Sequence, residues 1–480
     1  MAEMLIQVPE VPTSTRVPGK YFAFDTRLSN AGMPSTLQKV LLIGQRTAAG
    51  GKPALEPVDI FKTAEAEEHF GSGSQLHRMA LAAVQANPFV NLSCIALDDA
   101  GAGVAAAGSV QFTAAPTTAG VYTLWVGDGK VEIAVDASMT VTEIAAALVA
   151  QIGKQPALPV SAAVNGVDDT IADITAKNKG VQGNGILLAD EMTAKTLATT
   201  VAVMAAGASD PDIQDALDVV KPVRYNIIVS AYNDATSLQA LRDHMDEVGG
   251  PIEQRGAVGI AGFTGAYADG VTLASGINSG RTLIASIRGT KTHPIEVAAR
   301  FGSAKGYIED PAQPLNNLYL RGIAPPAQAD RYTWTEMNNM LHNGLTPLEV
   351  RKGDKVVIVR AVSTYTVNDA AVDDPALLDI TTICSLDYVR DAVKERLTLR
   401  FPAPKFTKDF PDRVITEVVD VLYKLDELQV VRETDHYKDL VVAQGNLTDV
   451  TRLDIEIPAA VVAGAHVIAG NINLFLDNRS

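Results

Sequence analysis

Apolar and polar positions change period along the chain, and the changes mark its parts. Residues 38–44 (Gln-Lys-Val-Leu-Leu-Ile-Gly) are a short apolar run closed by glycine, the pattern of a strand buried on both faces. Leu76, Met79, Ala80, Ala83 and Val84 then fall on one face of a helix predicted over 73–86, and 92–97 reads as a second buried strand. The rhythm resumes at residue 210. Asp210 is read as an N-cap with Pro211 at the first helical position, followed by Ile213, Leu217 and Val220 on one face. A strand over 225–229, a helix over 235–248 and a strand over 256–262 continue it. Alternating strands and helices predict a parallel sheet with helical cover.

Residues 101–203 interrupt this alternation with an Ala-, Gly-, Thr- and Val-rich stretch. Strands over 121–126 and 131–135 flank Gly127-Asp128-Gly129-Lys130, whose central Asp-Gly predicts a hairpin. Thr140 and Glu143 fit a capping box with Met139 and Ile144 as its staple, opening a helix that runs to Ile152. The stretch therefore reads as a mostly β insertion. The C-terminal third differs again. A strand over 355–362 follows the turn Lys352-Gly353-Asp354. Two amphipathic helices carry Leu386, Val389, Val393 and Leu397, then Val414, Val418, Leu422, Leu425 and Leu428. Two alternating runs close the chain: Leu453, Ile455 and Ile457, then Ile468, Gly470, Ile472, Leu474 and Leu476.

At the other end, Pro9, Pro12 and Pro18 exclude a helix and predict an extended arm whose first 20 or so residues span at most about 70 Å. The expected organisation is an arm (1–25), a discontinuous α/β domain (26–100 and 204–325) interrupted by the β insertion (101–203), an α+β C-terminal domain (326–444), and terminal strands and arm (445–480). The fold class is thus α/β and α+β multidomain, with terminal strand arms.

Composition narrows the function. The 480 residues carry a net charge of −16, which repels phosphate and argues against wrapping DNA or docking on an anionic membrane. The two cysteines, Cys94 and Cys384, sit in apolar runs and read as buried thiols in a reducing cytosol. The N-terminus lacks a secretory pattern, and no apolar run reaches the roughly 20 residues of a membrane span. Gly101-Ala102-Gly103 and Gly180-Val181-Gln182-Gly183-Asn184-Gly185 miss the dinucleotide fingerprint and read as loops. No phosphate loop, nucleophile elbow or His-Glu-x-x-His is present. Asp168-Asp169 and Asp373-Asp374 read as solvated turns. No catalytic, cofactor-binding or metal-binding residue is assigned, and the chain is not expected to be an enzyme or to need a cofactor.

Several segments, in order, resemble the sheath proteins of contractile phage tails, particularly those of Mu-like phages. Val17-Pro18-Gly19-Lys20-Tyr21 resembles the entry arm, Val40-Leu41-Leu42-Ile43-Gly44-Gln45-Arg46 the first core strand, and Phe70-Gly71-Ser72-Gly73-Ser74 the loop opening the next helix. Leu341-His342-Asn343-Gly344-Leu345-Thr346-Pro347 resembles the C-terminal domain entry. Val359-Arg360-Ala361-Val362-Ser363-Thr364-Tyr365 and Leu378-Asp379-Ile380-Thr381-Thr382 continue it, and Ser385-Leu386-Asp387-Tyr388-Val389-Arg390 begins the matching helix. The resemblance covers most of the chain outside the insertion. It implies a structural subunit, stacked as hexameric rings in a helix around a tail tube, that contracts to drive the tube through the host envelope. The implied partners are further copies of itself, the tail-tube protein, and the baseplate and tail-terminator proteins, with no direct contact to nucleic acid or membrane. The implied location is the virion tail, after assembly in the host bacterial cytoplasm.

An open helix needs heterologous contacts, which strands at the chain ends can supply by strand addition. Val8, Val11, Val17, Ile468, Ile472, Leu474 and Leu476 are the expected inter-subunit arm residues, with Gly445 and Gly464 as hinges and the insertion peripheral. Two other readings compete: another helical or ring-forming structural protein, such as a tail-tube or surface-array subunit, and an enzyme with an unrecognised site.

Overall fold

A computed structural model describes residues 38–474. The elements begin with β1 (Lys39–Gln45), β2 (Val58–Ile60), α1 (Thr63–Phe70), α2 (Gln75–Ala86) and β3 (Asn91–Leu97). The insertion holds β4 (Ala105–Ala114), β5 (Gly120–Val126), β6 (Gly129–Val135), α3 (Val141–Gly153), β7 (Val160–Val164), β8 (Ile171–Lys179), β9 (Leu188–Met192) and β10 (Ala198–Ala205). There follow α4 (Gln214–Val220), β11 (Ile227–Ser230), α5 (Ala235–Gly249), β12 (Val258–Phe263), α6 (Tyr267–Ile277), β13 (Thr282–Ser286) and α7 (Pro294–Gly306). The chain continues through α8 (Trp334–His342), β14 (Thr346–Arg351), β15 (Lys355–Ile358), α9 (Ile380–Arg400), α10 (Phe410–Glu427), α11 (Thr434–Tyr437), β16 (Val442–Gly445) and β17 (Leu453–Glu456).

The described residues form two units. The larger comprises 38–387, Gln429–Arg432 and 461–474; the smaller comprises Tyr388–Leu428 and Glu433–Ala460.

In the larger unit an eight-stranded sheet runs β15-β14-β13-β12-β11-β1-β3-β2. Its six inner strands are parallel, and β2 and β15 close the edges in antiparallel pairing. Val40, Leu41, Leu42 and Ile43 have no exposed surface, as an unbroken apolar run predicts for a strand covered on both faces. Helices α2 and α7 pack together over β1, β11 and β12, while α4, α5 and α6 follow one another beside β3, β12 and β13. Local capping sets the helix starts: Ser74 accepts a hydrogen bond from the His77 amide, and Asp234 accepts one from the Ser237 amide. The sequence pattern puts 355–362 in a C-terminal α+β region. The strand that forms, β15, instead hairpins with β14, and Thr346-Pro347 of β14 pairs in parallel with Ala285-Ser286 of β13.

The insertion builds two sheets, β10-β4-β8-β7 and β6-β5-β9, around its own apolar cluster, with Phe112 edge-on to Tyr122 at 5.1 Å. The capping box forms as predicted: Thr140 and Glu143 satisfy each other's backbone amides. The hairpin turn is one residue earlier than Asp128-Gly129. Val126 pairs with Gly129, leaving Gly127-Asp128 as the turn, with Gly127 supplying the positive φ of +60°. Asp210 caps no helix, because α4 starts at Gln214; its carboxylate accepts instead from the Val181 amide at 2.7 Å. Cys94 is buried as expected, whereas Cys384 is only half-buried.

In the smaller unit, α10 buries Val414, Val418, Val421, Leu422 and Leu425 at helical spacing; Leu428 lies just past its end and is exposed. Arg396, on the part of α9 in this unit, donates to Glu417 at 2.6 Å and Asp420 at 2.5 Å. Helix α9 starts at Ile380, several residues before the predicted 386. Strands β16 and β17 form an antiparallel pair, Val442 opposite Glu456 and Gly445 opposite Leu453.

Candidate functional site

Two features of the fold bear on function: the crevice at one end of the parallel sheet, and the exposed C-terminal segment. The sheet grows in two directions from β1, with β3 on one side and β11 to β14 on the other. In open α/β sheets, ligands bind at such a reversal, outside the carboxyl ends of the strands. Here the insertion fills that place. Asn178 donates to the Arg46 carbonyl at 2.8 Å and to Asp99 at 3.0 Å, and its own carbonyl oxygen accepts from the Gln75 amide at 3.0 Å. Gln45, at the end of β1, donates to Asp99 and to the Lys179 carbonyl, both at 2.8 Å. Gln182 reaches Asn233, beyond β11, at 3.3 Å, and Asn233 donates to the Gly262 carbonyl of β12 at 2.8 Å. Gln45, Asn178 and Gln182 are all buried, so each contact satisfies a group that would otherwise lack a partner.

A second set of contacts flanks the first. Arg78 of α2 bonds Glu296 of α7 at 2.5 Å and Asp128 of the insertion's hairpin at 2.7 Å. His293, the N-cap of α7, accepts from the Ile295 amide through Nδ1, so its Nε2–H donates to the Gln182 carbonyl at 2.9 Å. Burial holds this imidazole at a pKa of about 4, against the opposing pull of the Gln182 carbonyl. A cavity of about 30 Å³ remains among Gln75, Asn178, Gln182 and His293, room for about one water and far less than a nucleotide needs. Sequence reasoning missed these contacts. Most of them join residues 50 or more positions apart, and their local signals are polar residues directly after apolar strands (Gln45, Asp98-Asp99) and the glycine cluster 180–185.

The predicted arm and hinge residues divide differently. Val8, Val11, Val17 and Leu476 lie outside the described residues. Ile468, Ile472 and Leu474 are 93%, 97% and 81% exposed, and residues 467–474 belong to no strand. The segment before them is held. Val461 bridges Val431, and the Val462 amide donates to the Val430 carbonyl at 3.1 Å. Gly464 packs so closely that a Cβ would lie 2.6 Å from Pro314 Cγ. Gly445 ends β16 inside its ladder, with Phe406 3.3 Å from where a Cβ would be. Among the described residues no group of three or more His, Cys, Asp or Glu is placed to hold a metal, and no helix is long and apolar enough to cross a membrane.

An α/β sheet whose crevice is occupied by its own chain is followed by a segment of bare apolar residues. Comparison with known proteins gives the class. The phage tail sheath protein central domain matches residues 206–364, starting directly after the last strand of the insertion, and the phage tail sheath C-terminal domain matches 372–475. The chain is 30% identical over 413 residues to the Mu-like prophage FluMu tail sheath protein of Haemophilus influenzae, covering 85% of this chain and 84% of that one. The chain belongs to the phage tail sheath family. Three solved structures share the fold. The sheath tail protein from Desulfitobacterium hafniense has a TM-score of 0.51 at 13% identity, covering 93% of this chain and 97% of that one. Sheath tail protein Lin1278 from Listeria innocua has 0.50 at 12%, covering 91% and 94%. A chain of the anti-feeding prophage baseplate has 0.51 at 12%, covering 96% and 100%. Proteins of this family are structural components of the virion tail that associate with themselves and with other tail parts.

Proposed function

We propose that the chain polymerises as stacked hexameric rings in a helical sheath around a tail tube, and contracts to drive the tube through the host envelope during genome ejection. Its partners are neighbouring copies, the tail-tube protein, and the baseplate and tail-terminator proteins. It assembles in the host cytoplasm, touches neither nucleic acid nor membrane directly, and works mechanically, without a cofactor. Contraction exchanges one subunit packing for another of lower free energy.

The single observation that carries this reading is the exposed segment 467–474. Ile468, Ile472 and Leu474 stand in water with no ladder partner among the described residues. Bare strand-forming residues are templates for pairing with another chain. A second observation fits the receiving side. The pair β16–β17 packs on α10 and takes no third strand among the described residues, which leaves its edges open to strand addition. In the proposed lattice the C-terminal arm, and the N-terminal arm bearing Val8, Val11 and Val17, add strands to neighbouring copies. Gly445 lies near a point where rigid parts turn, and the C-terminal arm turns just past Gly464.

The test is deletion of residues 459–480 in a chain co-expressed with its tube protein. Negative-stain microscopy should show bare tubes in place of cogwheel-ended cylinders. Ordered sheaths from the truncated chain would overturn the arm mechanism.

A further inference from the structure

We propose that His466 is a positioning residue that pins the C-terminal arm to the larger unit, so that the assembling part of the arm starts at Val467. The inference rests on the arm reading above and adds where the arm begins.

Exposure along the segment changes at this residue. Over 461–466, the chain alternates between half-buried and exposed or stays half-buried, ending on half-buried His466; from Val467 to Leu474 every residue is exposed. His466 is the last residue of the segment with a side chain seated on the body. Its Nδ1 accepts from the Asn316 amide at 2.8 Å. With Nδ1 accepting, the ring proton is on Nε2, which faces Asp379 at 3.4 Å. Asp379 is itself held in place by both arms of the Arg360 guanidinium, at 2.8 and 2.7 Å. The imidazole thus closes a chain of four side chains, Arg360-Asp379-His466-Asn316, three of them fixed on the body of the unit. Just before it, the close fit of Gly464 against Pro314 lets the backbone lie flat on the body. Beyond it, Asn471 donates to Asn473 at 3.2 Å, a hydrogen bond within the segment itself.

The pin sets the reach of the arm. An arm that peeled back to Val461 would gain six residues, about 20 Å of extended chain, and would sweep a much larger volume before meeting its neighbour. Holding the exit point raises the effective concentration of the arm at one place on the lattice.

Elastase, which cuts after small aliphatic residues, tests this on the full-length subunit, read by intact mass. In the wild type, trimming should stop on the C-terminal side of His466, at Val467 or Ala469. In His466→Ala, cuts after Val461, Val462, Ala463 or Ala465 should become at least about tenfold faster. Asn316→Ala, which removes the same contact from the body side, should do likewise. A limit that stays put in both variants overturns the proposal. So does one that moves only with a fall in Tm of more than about 5 °C, the mark of general destabilisation. The two ideas fail separately. Ordered sheaths from a chain lacking 467–480 would overturn the arm reading while the elastase limit stood. An unmoved limit would overturn the pin while the arm reading stood.

Discussion

Single residues at the crevice hold the insertion and the sheet together, and the contribution of one of them, His293, depends on pH. Its imidazole is buried and neutral, with a pKa lowered to about 4 against about 6.5 for the free side chain. The charged groups that act on it are Arg78, which lowers its pKa further, and Asp128, which raises it. The depressed pKa means that the unfolded state binds more protons between these two values. The stabilising contribution is therefore complete above pH 6.5 and is lost as pH falls toward 4, by up to about 1.4 kcal/mol per pH unit. Urea unfolding at pH 7, 5.5 and 4.5 should show this decline in the wild type and a flatter one in His293→Asn; equal slopes would remove His293 from the account. Other residues show how sequence and structure part company at this scale. Asp210 followed by proline carries a strong helix-start signal, yet its carboxylate serves a turn 29 residues earlier. Gly464 has the conformational freedom of a hinge, but its missing side chain is what lets Pro314 approach.

At the scale of elements, the most legible were those whose causes are local. The capping box of α3 needs only Thr140 and Glu143 three residues apart, and the apolar stripe of α10 needs only its own period. The start of α9 was less legible, because the apolar spacing that marks its middle does not extend back to Ile380. Packing between α9 and α10 was not legible, because Arg396 meets Glu417 and Asp420 more than 20 positions away. Arg396 is buried while Arg400, which reaches the same Glu417 at 3.3 Å, is half exposed. Solvent screens the second pair far more than the first. Arg396→Ala should therefore cost about 1–3 kcal/mol, and Arg400→Ala less than about 0.5 kcal/mol. Thermal unfolding of both variants checks the order, and equal losses would show that burial is not what distinguishes them.

The whole molecule adds a term that no element contains. Subunits carrying a net charge of −16 repel one another, and any polymer must overcome that repulsion. Salt screens it, with a Debye length near 30 Å at 0.01 M and about 10 Å at 0.1 M. Raising ionic strength across that range should lower the concentration at which the protein polymerises severalfold, measured by sedimentation. A rise instead would mean that complementary charges, rather than apolar arms, dominate the contacts between copies. The sequence by itself determined the parallel α/β rhythm, the β character of 101–203, the C-terminal amphipathic helices and, by resemblance, the sheath family. These follow from periods, caps and turns that act over a few residues. Only the tertiary structure decided that β14 and β15 extend the main sheet, that Asn178 and Gln182 occupy its crevice, and that the chain is held as far as His466 and bare beyond it. Each of those outcomes depends on polar groups finding partners far along the chain, and a pattern of apolar positions carries no record of which distant group will satisfy them.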